Sequence, residues 1–379
     1  MDYDLLLEGC CEMGRRLLQY GAEIQRAEDT VRRLLSAYGL EGEVFAIPNC
    51  LWVSAPCPDG RVRTVMRRVP STAVDIEGIE RFNDLSRHLC AAPPEDPAEL
   101  LRRCREAARD LRRYPTAMWL FGYFVGAFFF ALFFSGGWAE AAAAGLAGLA
   151  CGACLTLLGM AGLNSFIATL ASAFVLGAVA CGAAALGAPI SLEVTVAGAI
   201  MVLVPGLVFT NFMSDLLTGD MVAGLATFAR AVLSAGAIAL GAGLAMALFR
   251  EAVPVQAGAA AEYGPVSYCL FAFVACLGFC PAFNAQGVGA LLCCLGGAIG
   301  WAVYLAGMGL WSNPFAASLA AAVAVMLAGG GLLVAGFVVS PVGEIHHSVL
   351  VGFGEALTFA AAILGVDYHY NARRYEEND

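Results

Sequence analysis

Between Thr116 and Gly365 only ten side chains carry a formal charge, whereas residues 1–114 hold 17 of the 21 basic residues and 19 of the 31 acidic ones. A run that long with so little polar cover cannot close into a water-soluble globule, because too few of its residues can face solvent. With 60% hydrophobic residues overall and a mean hydropathy of +0.73, the chain is predicted to be a polytopic α-helical membrane protein with an N-terminal cytoplasmic α/β domain. The net charge of −10 argues against nucleic acid as a partner, since a binder needs a basic footprint to release counterions.

Residues 1–114 alternate helical and strand-like periodicities. Helices are predicted over 4–20 and 22–38, divided by Gly21, with Gly39 as a C-cap. Ile24, Ala27, Val31, Leu34, Leu35 and Tyr38 line the inner face of the second. Glu28–Arg32 and Asp29–Arg33 are expected to pair at i,i+4 on an outer, solvated face. Short strands follow over 43–47, 51–55 and 61–69, the last two joined by a Pro58-Asp59-Gly60 turn. Helices over 75–90 and 97–113 complete the domain.

Nine spans are predicted, over 117–134, 140–158, 165–186, 194–217 and 221–249 in a first module, and 266–283, 288–309, 315–339 and 349–365 in a shortened second one. A polar tail, 366–379, ends the sequence. Arg102, Arg103, Arg105, Arg109, Arg112 and Arg113 precede the first span, so its start, and with it the N-terminal domain, is expected on the cytoplasmic side. The acidic opening residues lack the basic start of a signal peptide. The segment from Phe124 is echoed from Phe273, and the one from Arg230 from Glu355. Five spans in the first half would make two such copies inverted in topology, an arrangement common in secondary transporters.

Chemistry concentrates in Leu203–Asp220, "LVPGLVFTNFMSDLLTGD". Pro205 and Gly206 interrupt an apolar span, which is tolerable where the freed backbone lines a cavity. Beyond them Asn211 and Asp215 share a face, with Thr210 and Ser214 on the adjacent one. Arg230 falls about ten residues into the next span, roughly 15 Å along it and level with that face. Intramembrane charges are costly and mark either a helix-locking pair or a substrate pathway; Asp215, Asp220 and Arg230 fit both. Glu355, at the place of Arg230 in the second echo, is a further partner for it. Glu344, His346 and His347 form the other cluster, read as a proton relay or interfacial loop rather than a metal site. Fourteen cysteines, including Cys151 and Cys154 in a CxxC within an Ala/Gly-rich span, read as packing residues. No cofactor is expected.

The segments "GAEIQRAEDTVRRLLSAYGL", "VFAIPNCLWVS" and "VPGLVFTNFMSDLLTGDMVAGLATFARAVLSAGAIALG" resemble the N-terminal module of the threonine/serine exporter family, and 266–330 resembles the start of its second membrane module. The resemblance is most specific around Glu23, Arg26 and Glu28 and across Pro205–Arg230. It implies export of threonine and serine, driven by the proton-motive force across a bacterial plasma membrane. A split two-protein version is associated with succinate, so dicarboxylates are the alternative substrates. Carried over by motif, Pro205, Gly206, Asn211, Asp215, Gly219, Asp220 and Arg230 are the pathway positions. The second module departs from the family pattern by about one helix, with "SPVGEIHHSVLVGFGEAL" where a further Pro-Gly element belongs. A membrane-anchored enzyme or a sensor acting through the N-terminal domain is the competing class, and homo-oligomerisation is left open.

Overall fold

The computed structural model describes residues 1–70, 72–217, 219–252 and 261–314, with single positions out to residue 324. The chain folds as two compact units, neither of them continuous in sequence. One contains 1–113, 208–229 and 283–286; the other contains 114–207, 230–282 and the residues from 287 onward.

In the first unit, α1 (Tyr3–Gln19) and α2 (Ile24–Ala37) precede an antiparallel sheet of β1 (Glu43–Ile47), β2 (Cys50–Pro56) and β3 (Val62–Arg68), followed by α3 (Ile76–Ala91) and α4 (Pro97–Arg109). Both α1 and α2 end where a glycine at positive φ follows the cap: Gly21 (φ +86°) and Gly39 (φ +71°). In each case two backbone N–H groups turn back onto the last helical turn, Ala22 to Leu17 O and Leu40 to Leu35 O being the longer loops; this uses carbonyls that the helix leaves unpaired. Asp2, Asp75 and Asp96 cap α1, α3 and α4.

Strand β2 pairs Val53 with Val44 on one side and with Val65 on the other. Its Leu51, Val53 and Ala55 point inward and are fully buried against Leu6, Met13, Leu17, Val31, Leu34 and Leu35. Burial of each such leucine stabilises the fold by roughly 1.5–3 kcal/mol. Gly14 lets α1 approach both α2 and the sheet: a Cβ there would fall within 2.7 Å of Val31 and Leu51.

The second unit contains α5 (Thr116–Phe133), α6 (Trp138–Met160), α7 (Ser165–Ala185), α8 (Leu192–Ile200), α11 (Pro265–Ala282) and α12 (Gly287–Trp311). Between α8 and α11 the chain forms α9 (Gly206–Leu217) and α10 (Met221–Leu248), α10 passing from the first unit into the second at Arg230. Six of the described helices are long and apolar enough to span a bilayer; α8 with α9 would make a seventh, bent by 55°. These seven answer to the first seven predicted spans. Most of 315–339, all of 349–365, Glu344, His346, His347, Glu355 and the tail lie outside the described residues. Leu233, Leu240, Leu244 and Leu248 run exposed along α10, as a lipid-facing stripe would.

Helix α5 packs through small residues. A Cβ on Gly278 of α11 would sit 2.5 Å from the Gly126 backbone nitrogen, and one on Gly198 of α8 would sit 2.6 Å from that of Ala131. Close backbone approach of this kind drives helix association where lipid removes the hydrophobic gain. Helices α5 and α11 run antiparallel, with Gly122 beside Gly278 and Pro281 at one end and Ser135 Oγ 2.8 Å from Tyr268 OH at the other.

The sequence echo has a geometric counterpart. Aligned at Phe124 and Phe273, the two copies equate Gly126 with Ala275, Phe130 with Phe279 and Ser135 with Asn284. Helices α5 and α11 then end at the same place, and α6 and α12 begin at the same place. Ser135 (φ +62°) and Asn284 (φ +51°) are both non-glycine residues at positive φ in the intervening turn. Residues also meet their own counterparts across the crossing: Gly126 lies against Ala275, and the rings of Phe130 and Phe279 are 5.4 Å apart. The pair Gly122–Gly278 exchanges with Phe271–Phe129, which also touch.

Among the described residues all fourteen cysteines are free, and Cys151 is fully buried in α6. The α5–α11 crossing leaves no room for a side chain at Gly278. Gly278→Leu is expected to cost about 2 kcal/mol, the usual penalty of overpacking, because its side chain would meet backbone rather than a movable side chain. A melting temperature in detergent equal to that of the wild type would refute it.

Candidate functional site

The interruption at Pro205 is a break between two helices. Helix α8 tightens into a 3-10 turn at Met201–Leu203, and Val204 then leaves the helix with ψ 125°. Proline excludes the preceding residue from helical geometry. Helix α9 restarts at Gly206, so Pro205 precedes its first turn, where a missing N–H costs nothing. Val202, in the 3-10 turn, reaches to within 3.3 Å of where a Cβ on Gly126 would be, which sets the break beside the self-paired crossing of α5 and α11.

After the break, α9 and the start of α10 form a hairpin that belongs to the unit of residues 1–113. Gly219 (φ +93°) makes the turn. Phe212 and Phe228 rings pack at 5.1 Å, Thr227 Oγ1 donates to Asp215 Oδ2 at 3.4 Å, and Ala223 is buried in the same core as α1 and α2.

The shared face of Asn211 and Asp215 is turned toward the start of α2. Asn211 Nδ2 donates to Gly21 O at 3.1 Å, and the buried Asp215 carboxylate accepts the Ile24 backbone N–H. Glu23, the N-cap of α2, makes no side-chain capping bond of its own. Asp215 therefore supplies, from a distant segment, the acceptor that an Asp or Ser normally provides locally. Sequence reasoning finds this face but has no means of finding its partner.

Within the Glu23–Glu28 motif, Arg26 Nη2 lies 3.4 Å from Glu23 Oε2. Glu28 departs from the solvated face expected of it: it is 7% exposed. Its Oε1 accepts the Ala46 N–H at 2.7 Å and its Oε2 accepts Arg32 Nη2 at 2.6 Å, so it ties α2 to β1. Asp29 pairs with Arg32 instead of Arg33, because Arg32 already lies alongside through Glu28. Burial raises the Glu28 carboxyl above its ordinary value of 4.5, against the Ala46 N–H and Arg32, which draw it down; Asp220 adds to the rise.

Arg230 is half-buried where α10 enters the second unit, whereas Asp215 and Asp220 lie in the first. Glu355 lies outside the described residues. Two residues that sequence reasoning passes over also matter. Glu140, 5% exposed, accepts the Gly137 N–H and the Ser191 N–H, each at 3.0 Å, joining the start of α6 to the loop before α8. Asn284, buried in the turn between α11 and α12, bonds to Asp75 Oδ1 at 2.8 Å. No group of three or more His, Cys, Asp or Glu side chains among the described residues can hold a metal ion.

Asp215→Ala is expected to lower stability by about 1 kcal/mol, the usual cost of a lost cap, and to speed amide exchange at Ile24; Asp215→Asn, which keeps an acceptor, should do neither. Equal exchange at Ile24 in the alanine variant and the wild type would refute the capping role. For Glu28 the sign is opposite to that of an ordinary paired carboxylate. The folded state binds its proton more readily than the unfolded one, so this group makes stability fall as pH rises above 4.5. Glu28→Gln should flatten that part of the melting-temperature profile, and an unchanged slope would show that the carboxyl is not raised.

Two family models match the chain, both described as threonine/serine exporter, one over residues 8–249 and the other over residues 268–345. No curated protein and no solved structure matches it. The first match spans well over half of the sequence and takes in the Glu23–Glu28 segment, the broken helix and the polar hairpin; this multi-pass membrane protein belongs to the threonine/serine exporter family.

Proposed function

We propose that the chain is a secondary transporter that exports threonine and serine from the bacterial cytoplasm, coupled to proton entry, with residues 1–114 on the cytoplasmic side. The observation that carries this reading is the helix broken at Val204–Pro205, with its 3-10 turn against Gly126 and the polar Asn211/Asp215 face following it. Secondary transporters bind solute at broken helices beside the interface of inverted repeats. The self-paired contacts of α5 with α11 support such a repeat here.

A zwitterionic amino acid brings one carboxylate and one ammonium into a region of low dielectric. The N-terminus of α9 carries partial positive charge and, with Arg230, suits the carboxylate. Asp215 is the group proposed to take up and release the coupling proton, with Asp220 at the end of the same hairpin. Succinate is the second reading: it has two carboxylates and no ammonium, so it would use the positive groups alone. An enzyme or sensor reading draws no support from the Glu23–Glu28 motif, where Glu23 and Arg26 pair with each other at the start of α2 and Glu28 ties α2 to β1.

Counterflow in proteoliposomes with labelled threonine, serine and succinate, at set pH gradients, tests the proposal. Threonine and serine flux that rises with an inward proton gradient is expected. Flux of succinate alone would reassign the substrate, and no flux of any of the three would reject the reading. Asp215→Asn keeps the cap of α2 but cannot titrate, so it should lower proton-driven flux by at least about tenfold, a barrier change of roughly 1.4 kcal/mol. Arg230→Gln should do the same, and wild-type flux in both variants would remove these residues from the pathway.

A further inference from the structure

The first unit contains two helix N-termini closed by groups from far along the chain. That of α2 is closed by Asp215, as described. At α3, the N–H groups of Ile76 and Glu77 donate to the carbonyls of Phe283 and Asn284, at 3.0 and 3.3 Å, and Asp75 itself accepts the Gly78 N–H at 3.0 Å. The first three donors of α3, which no helix can satisfy internally, are thus all taken. Two of them are met by the turn that joins α11 to α12.

Asn284 holds that turn. Its Nδ2 donates to Asp75 Oδ1 at 2.8 Å and to Arg112 O at 2.9 Å, and its Oδ1 accepts Gln286 Nε2 at 3.0 Å. Gln286 Nε2 also donates to Arg112 O at 3.0 Å. Every polar atom of the Asn284 side chain is engaged, although the residue is 9% exposed and holds a positive φ that glycine would adopt more cheaply.

The two closures share one strip of backbone. Gly21 O accepts Asn211, Tyr20 O accepts the Asp75 N–H at 3.1 Å, and Gln19 O accepts the Ala73 N–H at 3.0 Å. Gly21 is at φ +86°, and a Cβ on it would lie 3.1 Å from Ala73 O, so the strip is tightly laced. Asp75 stands between Asn284 and this strip: it receives the Asn284 side chain, and its own N–H binds Tyr20 O, next to Gly21.

We infer that Asn284 is a positioning residue for the polar site on α9: it fixes the Asp75–Gly21 strip, and the strip fixes Asn211 and Asp215. A shift of the α11–α12 turn is then transmitted to the α9 face without direct contact between them, and the soluble part of the chain is the connecting element. Ser135, the counterpart of Asn284 in the other copy, engages Tyr268 instead, so the second copy's turn is the one joined to this strip. The coupling stands on geometry within the first unit; its effect on flux rests on the exporter reading.

The test uses the full-length protein and Asn284→Gly, which keeps the turn's backbone and both carbonyl acceptors while removing the side-chain bonds. Hydrogen exchange of peptides over 206–217 is expected to accelerate by about tenfold in this variant, as for a segment whose local opening has become easier. The maximal threonine counterflow rate should fall by about tenfold with KM unchanged. Asn284→Asp, which keeps the side chain's size but presents a carboxylate to Asp75 Oδ1 and Arg112 O where an amide donated, should accelerate exchange over 206–217 in the same way. Faster exchange confined to 283–286, with 206–217 as in the wild type, would overturn the inference. So would wild-type exchange over 206–217 in Asn284→Asp. If the wild type carries no flux but exchange over 206–217 responds in both variants, the exporter reading falls and the coupling stands.

Discussion

A helix leaves its first backbone N–H groups without internal acceptors, and this chain meets that demand at α2 and α3 with groups from residues 208–229 and 283–286. Much of the first unit follows from it. Asp215 is both the acceptor for Ile24 and the acidic residue of the α9 face, so the polar face proposed for transport is also a structural joint. The carbonyls of Phe283 and Asn284 serve α3 in the same way. An unpaired buried donor costs more than a hydrogen bond returns, and these closures therefore place α9 and the 283–286 turn firmly against residues 1–113.

The second unit is governed by a different constraint. Its interior sets alanines and glycines among clustered aromatic rings, with Gly122, Gly126, Gly148, Gly198 and Gly278 each allowing backbone to approach backbone or a neighbouring side chain. Some polar groups there meet at helix ends. Glu140 is saturated by two N–H donors from separate loops, and Ser135, Tyr268, Tyr263 and Gly136 bond around one turn.

How much of this is readable in the sequence depends on range. Local signals carry well: the periodicity of α1 and α2, the glycines that end them, the Pro58-Asp59-Gly60 turn, and a Pro-Gly pair interrupting an apolar run all rest on interactions within a few residues. Long-range partners do not. Nothing near Glu28 in the sequence says that the Ala46 N–H will cover it, so a charged residue on a polar-looking face is expected in solvent. Asn211 and Asp215 are recognisable as a face, but their partner, Gly21–Ile24, lies almost two hundred residues away. Hydropathy likewise cannot show that Ala223, in the apolar hairpin 208–229, is buried in the same core as α1 and α2. Asn284 is invisible because an isolated asparagine between two apolar spans looks like any loop residue.

The crossing of α5 and α11 has a mechanical consequence. Where Gly126 and Gly278 bring main chain against main chain, few side chains must change rotamer or climb out of a groove for one helix to roll on the other. Phe130 and Phe279 sit beside this bare contact, like two halves of a bearing. A joint made this way resists separation, because the backbones are already at van der Waals distance, yet offers little friction to small rotations.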